Sequence, residues 1–461
     1  MVTTWEEITK EMAITQEPSR LTVQDLVRYF YTPLHYPKSE KIGVELEKFL
    51  LFAKTGQALP LIGPKSIQRI LTELAHRYYW EPEYSQNMII NLRKEGRLLS
   101  VEPGGQLEFS SVPHEFVDQA KLQEEQHLKE LYSVIQDWDV IVSGLSMQPV
   151  SSVHQVEWLL KERYQVMREY LLNRDTLGHW MMKMTTSTQV SIDYLSEDDA
   201  REKMAALAAV MPVLSAMFSN SCLTEGKLNG YQSYRTHIWQ HTDPDRCGLP
   251  VFYFNGNFSF ENYVQYALDI PIYFLKKADR FIAPIHKTFR QYLKDGFENY
   301  RATLQDWEMH LSCLFPDIRL KNYLEIRAFD RNSGLMAYAA PTLVKLLSYN
   351  REALVGIRKL MEPFTVEMIR DSITAVSEKG LRAQMGKYVV LDLAKEVLKI
   401  AQASLQEALQ HEKSTIFERD TFDFLQHLIV DRESTPADLI IHRMEQGDSI
   451  LKIIRDSALT S

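Results

Sequence analysis

Four stretches of the chain alternate polar and apolar residues with the period of two that a β-strand imposes. In KIGVELEKF the even positions Ile42, Val44 and Leu46 are apolar, and the odd positions include Glu45 and Glu47. In SVEPGGQLEFS the apolar residues Val101, Leu107 and Phe109 oppose Glu102, Gln106 and Glu108. In KMTTSTQVSIDY, Val190, Ile192 and Tyr194 alternate with Gln189, Ser191 and Asp193. In IRLKNYLEIR, Ile318, Leu320, Leu324 and Ile326 alternate with Arg319, Lys321, Tyr323, Glu325 and Arg327, which predicts one further strand. Such alternation predicts an antiparallel sheet with one covered and one wet face, and the tight EPGGQ turn requires an antiparallel pair.

Between these strands the period changes to that of a helix. Ile67, Ile70, Leu71 and Leu74 predict one helix, and Val156, Leu159, Leu160, Met167 and Leu171 predict another over residues 153–172. A long polar helix is expected over residues 114–138. Ser196 followed by Asp199 reads as a cap for an Ala- and Met-rich helix running toward Asn220, bent at Pro212. NMIINL, RLLSV and DVIVSGLSM read as shorter strands. The first forty residues read as helix and then loop, and residues 221–250 as a loop-rich segment able to close over a site. Beyond Pro341 the pattern is helical, most clearly where Val390, Leu393, Val397, Ala401 and Leu405 line up. No repeat or linker divides the chain. The expectation is one catalytic unit over residues 1–461, with an N-terminal helical segment (1–39), a sheet-containing core (40–330) and a mostly helical remainder (331–461).

On a single strand, a solvated face explains such polar residues well enough. The joint pattern changes the picture. Glu45, Glu47, Glu102, Glu108 and Glu325 lie on three strands and face one way, beside Arg327. Carboxylates brought together repel, and burying them unpaired is costly. Oxygen-only ligands suit Mg²⁺ or Mn²⁺, ions that share their coordination with phosphates, so the pattern points to an ATP-using enzyme. There is no G-x-x-x-x-G-K-[ST] loop. Arg235, in NGYQSYRTHIW, could clamp a carboxylate through two parallel hydrogen bonds or sit in a surface ion pair. His237 could be a general base or a core histidine, and Arg168 a ligand or a solvated helical arginine.

With 461 residues, 45% of them hydrophobic, the chain can bury a sizeable core. A net charge of −9 argues against a nucleic-acid partner, and no apolar run reaches membrane-spanning length. The N-terminus MVTTWEEITKEM is acidic and lacks an apolar core, so a cytoplasmic location is expected. Cys222, Cys247 and Cys313 have no metal-binding spacing.

The motifs VELEKF, SVEPGGQLEFS, QPV followed by YQVMREYL, TQVSIDY, TEGKLNGYQSYRTHIWQHTDPDRCG, FENYVQYALDIPIYF, DWEMHLSCLFPDIRLKNYLEIR and STPADLI carry a resemblance. The chain resembles the plant-type glutamate–cysteine ligases, which also occur in bacteria. The resemblance implies an α+β, glutamine-synthetase-like fold, with an antiparallel sheet curved into a funnel and surrounded by helices. It implies that ATP and Mg²⁺, or Mn²⁺, activate the glutamate γ-carboxylate as an acyl phosphate. The amine of cysteine then attacks to give γ-glutamylcysteine, the first step of glutathione biosynthesis. By position, Glu45, Glu47, Glu102, Glu108 and Glu325 would be metal ligands. Arg327 and Lys321 would contact ATP. Arg235 would hold glutamate together with Arg168, Gln189 and Tyr234, and Arg327 and Arg235 would be catalytic. Small-molecule substrates are implied, and a monomer or homodimer is expected.

One stretch departs from the family. Its G-A-D-G-G-P-W reads Ala328, Phe329, Asp330, Arg331, Asn332, Ser333, Gly334 here, so Gly334 stands where the family has a tryptophan in the cysteine pocket. Ser191 likewise replaces an asparagine. Either cysteine binds in a rearranged pocket or glutamate is joined to another small amine. A non-catalytic member of the family is a third expectation.

Overall fold

The alternating segments pair edge to edge in a computed structural model that describes residues 20–35, 39–174, 177–254, 256–278 and 280–459. Nine strands form one sheet: β1 (Ile42–Phe52), β2 (Glu81–Ser85), β3 (Met88–Lys94), β4 (Arg97–Val101), β5 (Leu107–Ser110), β6 (Val140–Ser143), β7 (Ser187–Ile192), β8 (Ile318–Leu320) and β9 (Leu324–Asp330). Their order is β8-β9-β7-β1-β5-β4-β3-β2, and β6 pairs with the second half of β1. Every pairing in this sheet is antiparallel. Central β1 sets Glu47 opposite Glu108 on one side and Glu45 opposite Gln189 on the other.

The covered face explains the register. Ile42, Val44 and Leu46 join Val190, Ile192, Leu324 and Ile326 in a core that also takes in Leu343, Val397 and Leu405 from the C-terminal helices. A one-residue slip of β1 would bury Glu45 and Glu47 among them. A second core packs Leu99, Leu107 and Phe109 against α2 (Ile67–Tyr78) and α3 (Val117–Ile135), which follow α1 (Val23–Tyr31). The expected helix within residues 1–19 lies outside the described residues.

Two expected elements are corrected. Residues 318–330 form not one strand but the hairpin β8–β9, which sets Leu320 opposite Leu324 and Arg319 opposite Glu325. Both halves keep the same parity, so the alternation runs through the turn unbroken. The helix expected over 153–172 is only α4 (Glu162–Leu171). Residues 153–161 are instead a turn and then irregular chain, tied to the EPGGQ loop by the Leu159 amide donating to the Pro103 carbonyl at 2.8 Å. Further on come α5 (Gly178–Met184) and α6 (Glu197–Met217), the latter capped by Ser196 and containing Pro212. Then come α7 (Tyr234–Gln240), α8 (Gly334–Ser348) and α9 (Val390–Gln410). Among the described residues no helix is long and apolar enough to cross a membrane.

Candidate active site

The wet face of the sheet lines a cavity of about 360 Å³ that brings Glu45, Glu47, Glu102, Glu108 and Glu325 together with Gln189, Arg235, Lys321 and Arg327. Strand parity alone places most of these side chains, since β1, β5, β7 and β9 all point their polar positions the same way.

The cavity has an acidic half and a cationic half. Glu47 accepts from the Ser187 amide at 2.8 Å, the Ser187 hydroxyl at 2.9 Å and Gln189 Nε2 at 3.2 Å. Glu108 accepts from Gln189 Nε2 at 3.3 Å and Ser100 Oγ at 3.2 Å. No donor reaches the carboxylates of Glu45 or Glu102 among the described residues. Burial, reinforced by Glu325, raises the Glu45 carboxyl. Burial, reinforced by Glu47, pushes Glu102 up to about 7. Burial and the charges of Glu45, Glu102 and Glu47 push Glu108 well above the usual range. Glu325 behaves oppositely. Burial works against its charge, but Arg319, Lys321 and Arg327 outweigh it and hold the carboxyl well below the usual range. These cations donate from Arg319 Nε at 2.8 Å, Lys321 Nζ at 2.6 Å and Arg327 Nη1 at 2.8 Å. Gln189 joins the halves: its Oε1 accepts from Arg327 Nη1 at 2.5 Å while its Nε2 serves Glu47 and Glu108.

The acidic half offers only oxygen, with more negative charge than its neighbours offset, and this donor set fits a hard divalent cation. The family resemblance puts Glu325 in that set as well, and in the structure its carboxylate accepts from Arg319, Lys321 and Arg327. In the side-chain positions seen, no three acidic, imidazole or thiol groups among the described residues form a finished metal cage. An ion would have to draw the carboxylates inward.

Arg235 sits in the wall between this cavity and a second of about 490 Å³, a wall it shares with Trp239, Phe315 and Arg327. Its Nη2 donates to the Arg327 carbonyl at 2.7 Å and its Nη1 lies 4.0 Å from Asp330. Asp330 in turn accepts from the Asn220 amide at 2.8 Å, Ser221 Oγ at 2.7 Å and Ser233 Oγ at 3.0 Å. Ser233 caps α7, so Asp330 anchors the helix that presents Arg235. Asp317 lines the second cavity, and burial pushes its carboxyl up to about 6 against the pull of Arg235 and Arg327.

Several expected site residues lie elsewhere. Arg168 is exposed on α4, with its guanidinium 5.0 Å from the centre of the Trp158 ring. One turn earlier on that helix, Arg163 lines the cavity instead, with Lys161 just ahead of it. Tyr234 packs against Tyr231 at 5.0 Å and Trp180 at 5.9 Å, away from both cavities. His237 stacks on Tyr234 at 5.6 Å and lines neither cavity. Residues 221–250 are no loose flap: Ser221, Ser233, Arg235, Thr242, Asp243 and Arg246 are all buried, and the segment is a packed wall. Gly334 is exposed at the start of α8, and a Cβ there meets nothing within 4 Å. The glycine therefore adds no volume to either cavity. Arg319, Trp239, Phe315 and Ser187 line the site without having been singled out; only Arg319, on the polar parity beside Glu325, carried a signal. The cysteines are free, and burial pushes the Cys222 thiol up to about 12.

Residues 41–455 match the profile of glutamate-cysteine ligase family 2 (GCS2). The chain is 33% identical to the rice (Oryza sativa subsp. japonica) protein named glutamate–cysteine ligase A, chloroplastic, over 95% of this chain and 87% of the relative. It is 34% identical to the chloroplastic glutamate–cysteine ligase of Arabidopsis thaliana, over 86% of this chain and 76% of that one. A crystal structure of a glutamate–cysteine ligase from Francisella tularensis in complex with AMP shares the fold with a TM-score of 0.58. That likeness covers 92% of this chain and 88% of the other at 14% identity. The plant relatives also correct the expected cytoplasmic location. They are named as chloroplastic, so the cytoplasmic expectation drawn from the N-terminal residues does not hold.

Proposed function

The chain belongs to glutamate-cysteine ligase family 2, and we propose that its 461 residues act as one catalytic unit, monomer or homodimer, that joins the γ-carboxylate of glutamate to the amine of cysteine using ATP. The observation that carries this reading is the single cavity whose carboxylates and cations are segregated. A carboxylate is a poor electrophile. ATP, held with Mg²⁺ or Mn²⁺, supplies the phosphoryl group that turns the glutamate γ-carboxylate into an acyl phosphate with a good leaving group.

The chain's residues then have distinct tasks. Glu45, Glu47, Glu102 and Glu108 would hold the divalent cation, with Glu325 fixing Arg319, Lys321 and Arg327 at the other end of the cavity. Arg327 and Lys321 face the phosphates and offset charge on the transferred group. Arg235, buried in the dividing wall, clamps a glutamate carboxylate. Gln189 keeps the acidic and cationic halves in register. The second cavity admits the acceptor amine, and Asp317, whose carboxyl is raised toward neutrality, takes its proton. Trp239 and Phe315 flank Arg235 where the two cavities meet, so the glutamate it holds would meet ATP from one side and the amine from the other, with little room for water.

Phosphate release measured with ATP, Mg²⁺, glutamate and a panel of amines tests this reading. Release that depends on cysteine supports it. Release with another amine alone would replace the acceptor, and no release with any amine would leave a non-catalytic binding protein. The exposed position of Gly334 removes the reason for expecting an unusual acceptor.

A further inference from the structure

Directly behind the acidic half, on the covered face of β1, lies a second group of charges to which the mechanism above gives no task. Lys48 breaks the strand's parity, since its position belongs to the apolar set, and it is fully buried. Glu124 on α3 and Arg331, just past β9, are buried with it. Lys48 Nζ lies 3.3 Å from Glu124 Oε1, and Arg331 Nη2 donates to the same oxygen at 3.0 Å. The Tyr338 hydroxyl donates to Glu124 Oε2 at 2.7 Å. Two cations thus share one carboxylate, and a positive surplus is sealed behind the strand.

The group sits at a gap in the sheet. Pairing of β1 with β7 ends at Leu46 opposite Thr188, and pairing with β6 begins at Phe49 opposite Ser143. Glu47 and Lys48 fall between, where neither strand supports β1. Buried backbone carbonyls need donors. In the gap, Arg331 Nε donates to the Glu47 carbonyl at 3.0 Å, and Lys48 Nζ donates to the carbonyl of Leu46, the last residue paired with β7, at 3.0 Å. Arg331 also donates its own amide to the Thr186 carbonyl at 3.4 Å, next to the Ser187 that binds the Glu47 carboxylate.

We infer that Arg331 is a positioning residue for the divalent-cation site: it bridges the gap in the β1 ladder, holds the Glu47 backbone in place and, with Lys48, supplies positive charge behind the carboxylates. This rests on the reading of those carboxylates as cation ligands. In this chain the guanidinium fork lets one group reach the Glu47 carbonyl and Glu124 together. The other half of the site is held by different bonds, from the Asp330 carboxylate to the α7 cap. Loss of Arg331 should therefore weaken cation binding while leaving glutamate binding in place.

The test is Mn²⁺ binding, in the presence of ATP, followed by electron paramagnetic resonance on the full chain, with glutamate KM measured in parallel. Arg331→Gly is expected to weaken Mn²⁺ binding roughly tenfold or more, as loss of groups that orient metal ligands does elsewhere. Glutamate KM should stay within about twofold. Millimolar guanidinium, which fits the space left, should restore most of the affinity. Arg331→Lys keeps the charge but loses the fork, and is expected to be weakened at least about threefold; it decides the matter alone if the glycine variant does not fold. Wild-type protein that binds no Mn²⁺ overturns both this inference and the cation reading. Wild-type protein that binds Mn²⁺, with folded variants that bind it equally well or that lose glutamate affinity to the same degree, overturns the positioning role alone.

Discussion

The two faces of β1 carry buried charge in opposite senses. In front, Glu45, Glu47, Glu102 and Glu108 hold a surplus of negative charge around a cavity, and three of the four are pushed toward protonation. Behind, Lys48 and Arg331 hold a positive surplus around Glu124, which burial alone would raise but which these cations keep below the usual carboxylate range. The front group opens onto space for a ligand, whereas the back group is sealed among α3, α8 and the sheet. Buried charge left short of partners beside a cavity marks a site awaiting a ligand. Buried charge closed on itself marks a scaffold.

Breaking the front should separate activity from stability. Glu45→Gln is expected to abolish turnover, by at least about a hundredfold, through loss of several kcal/mol of charge stabilisation. The same change should raise the melting temperature of the ligand-free protein, because it removes a buried repulsion. An active variant, or one that melts lower, would contradict the assignment. Breaking the back should instead lower stability. Glu124→Gln leaves two buried cations facing a neutral amide and is expected to cost about 3–5 kcal/mol in urea unfolding. Arg235→Lys keeps the charge without the bidentate fork, so glutamate KM should rise about tenfold with a smaller change in kcat.

His127 sharpens the comparison through pH. It is buried behind β5, stacked on Phe109 at 5.1 Å, and burial together with Lys48 and Arg97 depresses its pKa well below the ordinary value of 6.5. A histidine held neutral in the folded state contributes stability that is present above pH 6.5 and lost as pH falls. The loss from this group is at most about 1.4 kcal/mol per pH unit. His127→Phe should flatten the dependence of unfolding free energy between pH 7 and 5.5, and an unchanged slope would place the effect elsewhere. The smallest effect concerns Gly334, which has φ of 58° and points into open space. Gly334→Trp should leave cysteine KM within about twofold and cost about 1 kcal/mol of stability for a side chain in the left-handed region.

Most of the sheet was legible because a strand reports its buried face through parity, and parity survives even a tight hairpin such as that between Leu320 and Leu324. The front carboxylates were legible for the same reason. Lys48 stood in plain view on the wrong parity, but its partners Glu124 and Arg331 come from segments whose approach no local pattern encodes. Helix-borne site residues were the least readable. Arg163 and Arg168 share α4, and only the docking of that helix against the EPGGQ loop and Ser312 decides which one reaches the cavity. Tyr234 and Arg235 are adjacent, yet the turn of α7 sends one to an aromatic stack and the other into the wall.

The bond from Arg331 to the Glu47 carbonyl joins residues 284 apart in the chain, and Ser187 reaches Glu47 across 140. Folds dominated by such distant pairings form slowly, since loop closure must be met before any contact rewards it. Strand β1 leaves the ribosome early and its strand partners β5, β6 and β7 follow by Ile192, but Arg331 emerges only after the β8–β9 hairpin. A nascent chain halted before that hairpin would lack Glu325, Arg327 and Arg331, so the cavity on the wet face of the sheet cannot be completed piecemeal during synthesis.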